Sequence, residues 1–153
     1  ALPIFTGRSK SLEAQLKIYH RFQSEDGFFS RTSKLEHFAA DNIDTRPEII
    51  TKLLDHRLAQ VRQSILQHPN VTSEHITKGL DDRKPLVREM AISNRNATPE
   101  HISKALDDRS ESVRRTAVLH RNATPEHIIK ALNDKDSSRV REAAASLKLS
   151  AKR

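Results

Sequence analysis

A phrase of thirteen residues occurs three times in this chain, and it constrains the fold more than any other feature. The copies begin at Asn70, Asn96 and Asn122, so they follow each other at intervals of 26 residues. The third copy reads Asn-Ala-Thr-Pro-Glu-His-Ile-Ile-Lys-Ala-Leu-Asn-Asp. A unit of this length cannot bury its own apolar face, so neighbouring units must pack together and share a core. The sequence therefore predicts a stack of repeated units.

Each unit is predicted to contain two short helices. The first helix opens at a Thr-Pro-Glu signal, with Thr98 and Thr124 as N-caps and a proline at the first helical position. It buries apolar residues at helical spacing, such as Ile102, Ala105 and Leu106. The second helix begins at a recurring Val-Arg pair, found at Val61-Arg62, Val87-Arg88, Val113-Arg114 and Val140-Arg141. The predicted fold class is all-α: an α-solenoid of short helix pairs, with about four 26-residue repeats.

Aromatic residues are confined to the beginning of the chain. All five phenylalanines and the one tyrosine lie within the first 38 residues. Because the terminal units of a repeat stack differ from the internal ones, residues 1–43 are predicted to form an atypical, aromatic-rich N-terminal cap. This cap includes helices at 12–22 and 34–40, the second of which fits half of a repeat. Residues 44–153 are then the repeats, ending in a C-terminal capping helix.

The alternative use of these aromatic residues is a docking site. Pro3 and Gly7 flank Ile4 and Phe5, which predicts an extended arm at the start of the chain. Ile4 and Phe5 are therefore the candidate docking residues, on an arm that would lie against a neighbouring molecule.

The unit Asn-Ala-Thr-Pro-Glu-His-Ile-x-Lys-Ala-Leu-Asp-Asp-x-x-x-x-Val-Arg-x-x-Ala resembles the leucine-rich repeat variant family and is similar to HEAT repeats. The resemblance covers about residues 44–149. It implies an α-solenoid in which aspartates and arginines form a ladder between neighbouring units. Carried over to this sequence, it implies that Asp82 pairs with Arg88 and that Asp108 pairs with Arg114.

The two ends of the repeat region depart from this pattern. In the first unit His56 occupies the aspartate position, opposite Arg62. In the last unit one extra residue leaves Asp134 or Asp136 as the partner of Arg141. The cysteine cluster that accompanies some leucine-rich variant repeats is absent, because the chain contains no cysteine.

The charge of the chain favours anionic partners. Its net charge is +7, and the part from residue 44 onward holds 21 of the 27 basic residues and 15 of the 20 acidic ones. A positive excess of this kind suits nucleic acid or an acidic protein surface, or else serves solubility. Interleaved acids dilute the field, and the repeats lack aromatic residues for stacking on bases. The candidate anion-binding or partner-binding residues, several of which recur in register and would form rows, are Arg83, Arg95, Arg109, Arg115, Arg121 and Arg139.

Catalytic and metal chemistry finds little support. His75, His101 and His127 form a column, but packed helices hold successive copies about 8–10 Å apart, too far to share a zinc ion. We assign the column a structural or surface role. The sequence has no phosphate-binding glycine loop, zinc-protease pattern or serine elbow. We therefore predict no catalytic residue, no metal and no cofactor, and a protein that is not an enzyme.

The predicted function is a non-enzymatic binding or scaffolding module that docks a protein partner as a component of a larger assembly. The alternative is a nucleic-acid-binding α-solenoid that uses the basic rows. No secretory signal and no membrane span are evident, which favours a cytoplasmic location or an assembly formed in the cytoplasm. The sequence leaves the oligomeric state open.

Overall fold

The computed structural model describes residues 13–17 and 44–151, and within these ranges the regular structure is entirely helical. Residues 13–17 are helical and fall inside the helix predicted at 12–22. The arm with Ile4 and Phe5 and the helix predicted at 34–40 lie outside the described residues. The all-α prediction is confirmed for the part of the chain that the structure describes.

The helices from residue 44 onward are α1 Pro47–Leu54, α2 Ala59–Leu66, α3 Ser73–Leu80, α4 Pro85–Ser93, α5 Pro99–Ala105, α6 Glu111–Val118, α7 Pro125–Leu132 and α8 Ser138–Ser150. Helices of odd and even number form two layers. The odd helices α1 and α3, and α3 and α5, pack on each other, while α2, α4, α6 and α8 pack in succession. Each odd helix also contacts the even helix that follows it.

Threonine side chains begin three of the odd helices. Thr72, Thr98 and Thr124 are the N-caps of α3, α5 and α7, and each hydroxyl accepts from the main-chain N–H three residues later. The hydroxyl satisfies one of the donors that the first helical turn leaves free. Pro99 and Pro125 follow at the first helical position, where a missing N–H costs nothing. The predicted caps at Thr98 and Thr124 are confirmed.

The core lies between the two layers and is built from recurring apolar positions. Each even helix begins two residues before its recurring valine, and that valine is fully buried, as are the odd-helix residues Ile50, Ile76 and Ile102. One position needs a glycine: a Cβ at Gly79 in α3 would lie 2.8 Å from Ala91 Cβ in α4. The two later units have alanine there, at Ala105 and Ala131, and the first has Leu53.

Both ends of the described helices differ from the middle. Helix α8 has 13 residues, whereas the helices α1 to α7 have seven to nine. At the other end, the side chain of Gln15 is fully buried. Its Nε2 donates to the main-chain oxygen of Asp44 at 2.7 Å, and its Oε1 accepts from the Arg46 N–H at 2.9 Å. Residues 13–17 are thereby fastened to the chain just before α1.

Candidate functional site

Arginine and aspartate form a ladder that joins successive units. Each pair spans 20 residues, and the Nε to Oδ2 distance is 2.7 Å in all three. A second bond from Nη2 to Oδ1 makes each pair bidentate, the strongest geometry for such groups. The arginine side chains are buried and the carboxylates nearly so. The pairs are Arg62 with Asp82, Arg88 with Asp108, and Arg114 with Asp134.

This pairing differs from the one that the family resemblance implied. Arg88 reaches Asp82 only through its main-chain oxygen, which accepts from Nη1 at 2.9 Å. Arg114 makes the same bond to the main-chain oxygen of Asp108 at 2.8 Å. The pairing of Asp82 with Arg88 and of Asp108 with Arg114 is therefore wrong for the carboxylates. In each of these two connections, the main-chain oxygen of the aspartate accepts from the arginine of the even helix that follows. The carboxylate of the same aspartate accepts from the arginine of the preceding unit.

The ladder ends differently in the first and last units. Arg141 donates from Nη1 to the main-chain oxygen of Asp134 at 2.6 Å, but the Asp134 carboxylate holds Arg114. In the first unit the main-chain oxygen of His56 accepts from Arg62 Nη1 at 2.7 Å. The His56 ring takes the local role of an aspartate, since its Nδ1 accepts from the Leu58 N–H at 3.1 Å.

The ladder carboxylates are held in the ionised form. Burial by itself would raise the pKa of Asp82, Asp108 and Asp134. Hydrogen bonds from the paired arginine and from a main-chain N–H outweigh burial, and the pKa of each lies below its usual value. The three pairs are therefore charged at neutral pH.

Lysine and aspartate form a second ladder at the surface, which sequence reasoning missed. The Nζ to carboxylate distance is 2.7 Å in every pair, and these side chains are about half exposed. The signal was present in the sequence, because each lysine lies 23 residues after its aspartate and recurs with the repeat. The pairs are Lys78 with Asp55, Lys104 with Asp81, and Lys130 with Asp107.

The histidine column is part of the helix caps. The Nδ1 atom of His75 accepts from the Thr72 N–H at 3.1 Å, so it carries no proton. Its Nε2 atom lies 2.9 Å from the Thr51 hydroxyl of the preceding unit, and that hydroxyl donates to the main-chain oxygen of Pro47. His101 and His127 make the same contacts, with Thr77 and Ser103 as the neighbouring hydroxyls.

Both ring nitrogens of His75 and His101 are used, which keeps these two rings neutral. Burial lowers the pKa of His75 and His101 below the usual value. No lone pair is left over for a metal ion. Within residues 13–17 and 44–151, no three histidine, aspartate or glutamate side chains are grouped so that they could hold one.

The six candidate arginines lie in three places. Arg83 and Arg109 lie in the connections that precede the even helices α4 and α6, whereas Arg95 and Arg121 follow those helices. The nine residues of α4 separate these two rows by about 14 Å. Arg115 and Arg139 lie on α6 and α8 themselves. The six arginines therefore do not form one surface.

The first of these places is an edge of the molecule with a basic residue in every unit. We call the exposed residues Arg57, Arg83, Arg109 and Lys135 the loop edge, because each lies in the connection between an odd helix and the next even helix. Arg109 Nη2 lies 3.4 Å from the main-chain oxygen of Arg83, so neighbouring members touch. Lys135 was not among the candidate residues, although it lies 26 residues after Arg109.

Arg115 and Arg139 lie in a cleft of about 600 Å³ across α4, α6 and α8. It brings Arg115 and Arg139 together with three glutamates, and Arg139 Nη1 pairs with Glu111 Oε1 at 3.3 Å. The charges alternate from helix to helix, with Glu89 on α4, Arg115 on α6 and Glu142 on α8. Sequence reasoning counted these glutamates only as acids that dilute the positive field, because the sequence does not show which side chains the packing of the even helices brings together.

Two exposed leucines flank this cleft. Leu86 is 57% exposed and lies three residues before Glu89 in α4, so the two share a side of that helix. Leu119 is 43% exposed and lies four residues after Arg115. We call the cleft together with Leu86 and Leu119 the even-helix face.

None of the helices that the structure describes is both long and apolar enough to cross a membrane. Comparison with models of known protein families and with curated proteins gives no match to this chain.

Proposed function

We propose that this chain is a non-enzymatic binding module, a short α-solenoid of leucine-rich repeat variant or HEAT type that docks a protein partner on its even-helix face. The observation that carries the proposal is the cleft across α4, α6 and α8, with alternating charges inside it and exposed leucines beside it. Solenoids bind through extended surfaces of this kind rather than through deep pockets.

The distribution of recurring and varying residues supports this surface. Residues that join units recur at the repeat interval, as the arginine, lysine and histidine contacts do. Equivalent positions on the even-helix face are not constant: one set holds four residue types and the other holds three. Packing between units therefore determines the recurring residues, whereas it does not restrict the residue types on the even-helix face. The varying sets are Gln60, Leu86, Ser112 and Arg139, and Gln63, Glu89, Arg115 and Glu142.

The chemistry of the face suits a protein better than a polyanion. Glu89, Glu111 and Glu142 would repel phosphates, whereas a folded protein or peptide can present charges of both signs. Leu86 and Leu119 add apolar area, which interface centres use. The partner we infer is therefore a protein with an apolar centre and mixed charges around it.

Capture from native extract tests the proposal. The immobilised chain should retain a partner, and Leu119→Asp or Leu86→Asp should abolish that retention, because a carboxylate would replace exposed apolar contact area. The matched control is Ile129→Asp, since Ile129 is 59% exposed but lies on the odd helix α7. Equal loss with all three variants, or retention that survives both leucine variants, would refute docking on this face.

A further inference from the structure

The loop edge has a charge that the neighbouring acids do not cancel. The connections between odd and even helices contain seven aspartates, and six of them pair with a lysine or arginine of a helix. Asp136 is the seventh. The basic residues Arg83, Lys84, Arg109 and Lys135 of the same connections are not used in those six pairs. Of the seven aspartates, only Asp136 therefore reduces the positive field along this edge.

The members of the row are evenly spaced and accessible. Arg83, Arg109 and Lys135 are exposed, and none of them forms an ion pair with a carboxylate of the described residues. Neighbouring units pack with their helices about 8–10 Å apart, and each unit contributes one residue to the loop edge. Its four residues therefore span about 24 to 30 Å. This length corresponds to about seven to nine base pairs of duplex at 3.4 Å each.

We propose that the loop edge binds the phosphate backbone of duplex nucleic acid without reading its sequence. Arginine presents a planar fork of donors that matches phosphate oxygens, and three of the four members are arginines. The described repeats contain no aromatic side chain on which unpaired bases could stack, which favours a duplex over a single strand. The even-helix face begins in the first turns of α4, α6 and α8, which follow these connections, and the two surfaces have no residue in common.

An acidic peptide is the competing ligand for a row of cations. A peptide that binds tightly would also need contacts for its apolar side chains. None of the exposed large hydrophobic side chains of the described residues lies in the connections that form the loop edge. The regular spacing and the lack of apolar contact area match a polymer with regularly repeated charges, which is the phosphate backbone.

Fluorescence anisotropy with a labelled 20-base-pair duplex DNA tests the proposal across a salt series. Phosphate contacts from Arg83, Arg109 and Lys135 predict that log K falls with log salt with a slope of about −2.7. The combined variant Arg83→Gln, Arg109→Gln and Lys135→Gln should bring the slope close to zero and remove most binding at low salt. The matched control is Arg95→Gln with Arg121→Gln, at the other end of the even helices, which should leave the slope unchanged.

Three results would overturn the proposal: no duplex binding at low salt, equal loss of slope in the triple variant and the control, or stronger binding of a glutamate-rich peptide than of the duplex. Circular dichroism is the control for folding: the variants should keep their helices, because the changed positions are exposed. Leu119→Asp should leave duplex binding unchanged, so the failure of one surface is distinguishable from the failure of the other.

Discussion

Removal of one ladder carboxylate should destabilise the protein far more than removal of its neighbour in sequence. Asp108 accepts two hydrogen bonds from Arg88 and a third from the Ser110 N–H at 2.8 Å. The side chains of Arg88 and Asp108 are 5% and 10% exposed. Asp108→Ala therefore leaves a buried guanidinium without its counter-charge, which costs about 3–5 kcal/mol. That is a large part of the 5–15 kcal/mol that typically separates folded from unfolded states.

Asp107 provides the matched comparison. Its carboxylate also lies 2.7 Å from a cation, Lys130, but the two side chains are 70% and 47% exposed. Solvent screens such a pair, so Asp107→Ala should cost at most about 1 kcal/mol. Urea unfolding followed by circular dichroism at neutral pH measures both free energies of unfolding. A second test replaces the whole buried pair: Arg88→Met with Asp108→Leu should cost less than Asp108→Ala alone, because no unpaired charge remains.

The reasoning fails if Asp107→Ala destabilises the protein as much as Asp108→Ala. It also fails if the double replacement costs as much as the two single changes together, since the two groups would then act independently.

Three further predictions concern the caps, the pH dependence and the core. Thr98→Ala should lower the free energy of unfolding by about 1 kcal/mol through loss of its cap, measured by urea unfolding. The pKa of His75 and His101 is lowered in the folded state, so near and below about pH 6.5 the unfolded state binds more protons than the folded state. The free energy of unfolding should therefore fall as the pH is lowered from about 7.5 to about 5.5, and an unchanged urea midpoint would contradict this. Gly79→Ala gains about 1 kcal/mol of helix propensity but places a Cβ against Ala91. The overpacking costs about 1–3 kcal/mol, so the thermal midpoint should fall.

Local sequence signals were sufficient to predict the helix pairs. Threonine followed by proline defines where a helix begins without any tertiary information, and Thr98 and Thr124 are found in that role. The apolar spacing of Ile102 and Ala105 likewise identified buried positions. These features depend on the chain within one or two turns, so a single sequence contains them.

Contacts between units could not be chosen from the sequence alone. Arg88 lies six residues after Asp82 and twenty before Asp108, and a period of 26 is compatible with either partner. The choice depends on the direction in which the connection points its carboxylate. The role of His101 was equally hidden, because a capping box usually has glutamate or glutamine at this position.

The two binding surfaces differ in how visible they are in the sequence. Lys135 follows from the register of Arg83 and Arg109, so the loop edge could have been predicted in full. The cleft could not, because only the lateral packing of the even helices brings Glu89, Arg115 and Glu142 together.

Both surfaces rest on one claim, that successive units stack at a constant interval. The chain contains no cysteine, so Gln67→Cys and Ser146→Cys give two unique sites for spin labels, at equivalent repeat positions directly after α2 and within α8. Three unit intervals predict a narrow distance distribution centred at about 24 to 30 Å by pulsed electron paramagnetic resonance. A broad distribution centred near roughly 45 to 50 Å, as expected for a flexible chain of that length, would contradict the stack.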